Sequence, residues 1–169
     1  MRRSKAERLL LCRLVVSLGD ETLVEHLLEL GEFLRGVRLG AALVGLRLLA
    51  LLALRALALA GERVLVVDAD LRRPRQHDLF QVAGDVGLSE VLAGEVQPDD
   101  ALAATGIPNL TLLPAGRTPP NPSELLGSKR MRALLELASE DFFVIVDSPP
   151  LLPVTDGSLL ATAVDGTVL

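Results

Sequence analysis

A chain of 169 residues, half of them apolar and 23% charged, has the size and composition of one globular domain with a sizeable core, which excludes an intrinsically disordered chain. A formal net charge of −5 gives no general pull toward nucleic acid, and an aromatic content of 2%, without Trp or Tyr, excludes a base-stacking surface. Cys12 is the lone cysteine and His26 and His77 stand far apart, so there is neither an internal disulfide nor a His/Cys metal spacing, in keeping with a reducing, cytoplasmic setting.

Taken in chain order, Met1-Arg2-Arg3 precede an apolar run at Leu9-Leu10-Leu11. Arg13 interrupts that run and no small-residue cleavage pattern follows, so a signal peptide is not expected. Glu21 to Arg38 places Leu23, Leu27, Leu30 and Leu34 at three- and four-residue spacing and predicts an amphipathic helix. Leu39 to Ala60 suits a second helix, stopped by Gly61. It is long enough to span a bilayer, but Arg47 and Arg55 lie inside it, at ~3 kcal/mol each near a membrane centre, so burial against protein is the favoured reading.

The second half carries all ten prolines and reads as strands alternating with helices. Arg63 to Val67 and Phe142 to Val146 are short, continuous apolar runs of the kind buried in parallel sheets. Asn109 to Leu113 is a further strand, closed by Pro114-Ala115-Gly116. Ser123, after Pro122, is placed to cap a helix running through about Ala138. Ser158 to Val164 suits another helix, and Thr167-Val168-Leu169 a strand cut short at the end of the sequence. This alternation predicts an α/β fold of three layers, a mostly parallel sheet with helices on both faces. The chain divides near Leu59, into a Leu/Ala/Arg-rich helical segment (1–59) and an α/β core (60–169).

Such folds place their chemistry at the carboxyl ends of the strands. Asp68 and Asp70 follow the first strand of the core and Asp147 follows the later one, which brings three carboxylates to one sheet edge. They would repel one another unless a cation or a metal-phosphate offset them, and Mg²⁺ suits such a set because it takes one or two carboxylates, phosphate oxygens and waters. Aspartates after strands also serve as turn and cap residues, and that role stays open for each of them. Arg72, Arg73 and Arg75 add guanidinium groups suited to phosphate, or to pairing with Asp68 and Asp70 in a solvated loop.

Val64 to Pro74, VLVVDADLRRP, resembles the Walker A′ motif of bacterial tyrosine kinases, and Val144 to Pro150, VIVDSPP, resembles their Walker B motif. Gly87 to Gly94 (GLSEVLAG), Leu113 to Gly116 (LPAG) and Pro119 to Leu126 (PPNPSELL) are similar to that family as well, so the likeness runs through residues 60–169. It implies a P-loop NTPase-like fold and ATP- and Mg²⁺-dependent phosphorylation of a tyrosine-containing protein, coupled to capsule and exopolysaccharide assembly. By position, Asp68 would activate the tyrosine hydroxyl, Asp70 and Asp147 would hold Mg²⁺, and Arg72 and Arg73 would contact the nucleotide phosphates. A membrane-bound polysaccharide co-polymerase would be the partner, at the inner face of the cell membrane. Glu32, Arg35 and Arg38 match the family's Glu-x-x-Arg-x-x-Arg subunit contact, although Glu and Arg three apart on a helix are also an ordinary surface pair.

The sequence departs from that family in its first half. No stretch reads G-x-x-x-x-G-K-[ST], the loop whose amides, Lys and hydroxyl cradle phosphate and Mg²⁺. Counting back from Gly61, its Gly-Lys-Ser would fall near Gly45-Leu46-Arg47, and no strand is expected ahead of it. With no tyrosine in the chain, self-phosphorylation is excluded, and the monotony of residues 39–59 points to a deletion or a frameshift that later recovers frame. Weak or absent turnover is therefore expected. Two other readings are a ParA/MinD-type partition ATPase and a non-enzymatic remnant acting as an interaction module.

Overall fold

The computed structural model describes residues 14–16, 58, 61–149 and 156–168. Among them are the strands β1 (Leu14–Val16), β2 (Val64–Asp68), β3 (Ala103–Ala104), β4 (Leu110–Leu113), β5 (Phe143–Asp147) and β6 (Gly166–Val168). The helices are α1 (Gln76–Phe80), α2 (Leu88–Ala93), α3 (Pro98–Ala101), α4 (Pro122–Leu126), α5 (Lys129–Ala138) and α6 (Asp156–Ala161).

The strands form one sheet in the order β3-β4-β2-β5-β1-β6. β2 pairs in parallel with β4 and β5, and β1 with β5 and β6; β3 alone runs antiparallel, against β4. Alternation along each strand accounts for runs that are apolar throughout. Leu65 and Val67 of β2 and Val144 and Val146 of β5 enter one core with Leu88, Met131, Leu135 and Leu160 from the helices. Val64, Val66 and Ile145 point the other way, into a second core with Ala58 and Phe80. A strand buried on both faces has no polar side, so the three-layer α/β arrangement follows directly from the sequence of β2 and β5.

The predicted helix from Ser123 to Ala138 is two helices. Gly127 ends α4, its N–H reaching Ser123 O at 2.9 Å. Ser128 takes an extended conformation, and its hydroxyl accepts from Met131 N at 3.1 Å to start α5. Ser128 is thus the cap, while Ser123 is engaged elsewhere. A second correction concerns the first half of the chain, for which the sequence predicts no strand ahead of a phosphate loop. Leu14–Val16 is nonetheless a strand of the sheet, seated between β5 and β6. Counting back from Gly61 through a short segment does not reach it, because β1 lies far upstream.

Of the stretch read as a second helix, Ala58 is helical and buried, and Gly61 follows with φ +92°, its N–H bonded to Ala58 O. The rest of residues 17–60, with His26, Glu32, Arg35 and Arg38, lies outside the described residues, as does Cys12. Among the described residues no helix is long and apolar enough to cross a membrane.

Candidate phosphate and metal site

β2 and β5 are neighbours and run parallel, so their last residues arrive at the same edge. Asp68 and Asp147 are register partners, and the chain beyond is stitched by Ala69 N–H to Asp147 O at 2.8 Å. Both carboxylates are buried. Asp68 accepts from Asp70 N (3.3 Å) on Oδ1 and from Gln76 N (3.1 Å) on Oδ2. Burial disfavours its charged form and pushes its pKa up to about 6, with the backbone hydrogen bonds opposing that rise. A carboxyl poised there can exchange a proton near neutral pH.

The residue that ties the pair together carries no signal in the sequence. Gln76 is itself buried; its backbone N–H caps onto Asp68, and its side-chain amide donates to Asp147 Oδ2. It opens α1, whose first N–H groups have no partner within the helix, so Asp68 serves as the cap that a side chain of Arg75 does not supply. A buried Gln cannot be distinguished from a surface one by local pattern, since its neighbours Arg75 and Asp78 are exposed.

Asp70 does not converge with the other two in the same way. Its Oδ1 accepts from Arg72 N (3.2 Å) and Arg73 N (3.0 Å), fixing the turn that carries the arginines. Arg72 then reaches away from the strand ends. Its Nε lies 2.8 Å from Asp156 Oδ2, and its Nη2 donates to Ser123 Oγ at 3.1 Å. The Ser123 hydroxyl donates to Asp156 Oδ1, so one buried carboxylate joins the loop after β2, α4 and α6. Burial pushes the Asp156 carboxyl up, but Arg72 and Ser123 outweigh it and hold the group below the ordinary value. Arg73 and Arg75 are exposed.

The intervening motifs form a brace beside the site. Leu88 N and Ser89 N donate to Pro114 O (2.7 Å) and Ala115 O (2.9 Å), locking the start of α2 onto the turn after β4. The buried Glu90 accepts from Gly87 N (2.9 Å), Ser89 Oγ (3.0 Å) and Arg117 Nε (3.0 Å). Burial raises the Glu90 pKa and these partners lower it, with a net fall below the ordinary value. Neither Glu90 nor Asp156 carries a local signal of burial in the sequence; both are buried charges retained because each is multiply hydrogen-bonded.

Among the described residues no group of three or more His, Cys, Asp or Glu side chains is gathered to hold a metal by itself. Mg²⁺ needs only one or two carboxylates, since it keeps waters and takes phosphate oxygens for the rest of its shell, so the buried Asp147 suits a metal-nucleotide and not a bare ion.

No family model matches the chain. Tyrosine-protein kinase etk of Escherichia coli is 42% identical over 114 residues, covering 67% of this chain and 16% of that protein. Tyrosine-protein kinase YwqD of Bacillus subtilis is 42% identical over 110 residues, covering 64% of this chain and 46% of that one. The chain thus matches less than half the length of either relative. In structure, the kinase domain of the E. coli tyrosine kinase ETK aligns with a TM-score of 0.71 and 31% identity, over 92% of this chain and 53% of that one. The cell division ATPase MinD of Pyrococcus furiosus aligns less well, with a TM-score of 0.55 and 26% identity, over 68% of this chain and 48% of its own. The partition-ATPase reading therefore has the weaker support. With the motifs, the strand order and these relatives in agreement, the homologues of this chain are the bacterial tyrosine kinases.

Proposed function

We propose that this chain is an ATP- and Mg²⁺-dependent protein-tyrosine kinase domain serving capsule and exopolysaccharide assembly. The observation that carries the reading is the register pairing of Asp68 with Asp147 at the carboxyl edge of two buried parallel strands. Phosphoryl transfer asks a protein mainly for positioning and charge compensation, which such an edge supplies. Asp68, with its raised pKa, takes the proton of the tyrosine hydroxyl. Asp147 holds Mg²⁺, with Asp70 completing the set once its side chain turns from its own loop. Arg72 and Arg73 contact phosphate; for Arg72 that contact competes with Asp156 and Ser123.

None of these 169 residues is a tyrosine, so the tyrosine that accepts the phosphoryl group lies outside them. A membrane-bound polysaccharide co-polymerase is the partner, which sets the domain at the inner face of the cell membrane, and Glu32, Arg35 and Arg38 join its copies. Turnover by the chain alone is weak, because no Gly-Lys-Ser loop is present to neutralise the phosphates. Calorimetric titration with ATP and Mg²⁺, with Asp147→Ala as control, tests the reading. Binding that is lost in the variant supports it. No binding at millimolar ATP overturns it and leaves the fold without its chemistry.

A further inference from the structure

We infer that Gln76 is a built-in competitor for the cation proposed at Asp147, its carboxamide donating to the carboxylate oxygen that the cation would take. The inference rests on the cation site proposed above. Two buried carboxylates on adjacent strand ends need a positive or donating group between them. Gln76 supplies it from one residue, its backbone N–H to Asp68 Oδ2 and its carboxamide to Asp147 Oδ2. The residue is 6% exposed, so this is a packed contact and not a surface encounter. A cation held by Asp147, directly or through its waters, competes for the carboxylate oxygen to which Gln76 donates. Loading therefore exchanges a hydrogen bond to a charged group for a metal contact, and Gln76 is a positioning residue whose release accompanies that exchange. Because α1 begins at Gln76, release of the side chain is felt by the arginine loop that leads into it.

The test is Mn²⁺ binding to the full chain in the presence of ADP, read by electron paramagnetic resonance, alongside melting temperature in EDTA and in Mn²⁺. Gln76→Met keeps length and volume but removes the donor. It should bind Mn²⁺ roughly tenfold more tightly than the wild type, the equivalent of one hydrogen bond to a charged group. It should also melt lower in EDTA and show a larger Mn²⁺-induced rise. Equal or weaker Mn²⁺ affinity, with an unchanged rise, would make Gln76 a structural bond and overturn the inference. If Gln76→Met does not fold, Gln76→Glu decides, since a third carboxylate should make its stability depend steeply on Mn²⁺; no such dependence overturns the inference.

Binding by the wild type that Asp147→Ala abolishes and Gln76→Met leaves unaltered removes this inference alone. Binding by Gln76→Met where the wild type is silent supports it. Silence from the wild type and both variants removes the cation site and the inference together.

Discussion

Arg72 and Asp156 are joined by an ion pair of 2.8 Å between an arginine two-fifths exposed and a carboxylate that is all but sealed from solvent. The asymmetry matters. Loss of the arginine leaves a buried charge held by the Ser123 hydroxyl, whereas loss of both charges together leaves no buried charge to hold. Arg72→Ala should therefore cost about 2 kcal/mol in urea denaturation, below the usual cost of breaking a fully buried pair because the guanidinium is half in water. The double variant with Asp156→Asn should recover part of that loss. Arg72→Lys should fall short of rescue, since an ammonium cannot reproduce contacts from both Nε and Nη2 to the carboxylate.

Asp68 gives the molecule a pH signature of the opposite sign to most carboxylates. Its folded pKa, about 6, lies above the ordinary value of 3.8, so the folded state binds the proton more tightly. The corresponding stability is fully present below pH 4 and is lost as pH rises through 6, amounting to about 3 kcal/mol. Asp68→Asn should consequently gain on the wild type between about pH 4.5 and pH 7.5 in paired denaturation curves. A difference independent of pH would show that the wild-type carboxyl titrates normally.

Glu90 should behave in the conventional direction. Its folded pKa is depressed on balance, so its contribution is present above the unfolded value and is lost as pH falls through the folded one. Glu90→Gln should lower the melting temperature at neutral pH and lessen the dependence on pH in the acid range, as followed by circular dichroism.

Gly87 is the tightest backbone approach in the brace. A Cβ there would fall on Pro114 O and lie 2.5 Å from Gly116 N, both backbone atoms with nowhere to turn. Gly87→Ala should destabilise by about 3 kcal/mol, at the upper end for overpacking. Gly61→Ala is the contrast, because nothing lies within 4 Å and the cost there is that of φ +92° alone. Comparing their denaturation midpoints separates close packing from backbone strain.

Ser128→Ala should remove about 1 kcal/mol, the ordinary value of a helix cap, through its bond to Met131 N. Ser123→Ala should act through Asp156 and Arg72 instead, so its effect should shrink in an Asp156→Asn background. A double-mutant cycle by thermal denaturation measures both.

The core of the sheet is legible in the sequence because β2 and β5 are apolar on both faces, and in strands this short that pattern suits little except a covered parallel sheet. The two aspartates at their ends are legible for the same reason, since strand direction alone carries them to one edge. Residues whose role depends on a distant partner are not legible. Gln76, Asp156 and Glu90 look like surface residues until the fold closes around them. The break at Gly127-Ser128 is hidden because a glycine inside an otherwise helical pattern is compatible with either outcome. Leu14–Val16 is hidden because three apolar residues beside Arg13 are too short a run to claim a strand, and only the place between β5 and β6 makes them one.

That last strand has a consequence for how the chain is made. β1 leaves the ribosome before β2, β3 and β4, and all of these precede its two neighbours, β5 and β6. On the ribosome, β2 and β4 can pair with each other and await β5, but among the described strands β1 has no lateral partner until β5 has emerged. Sequence-distant pairings of this kind are slow to form and leave strand edges open to other chains. A nascent chain therefore carries an unpaired apolar strand while the residues between β1 and β5 are made, and it is during that interval that a chaperone has something to hold.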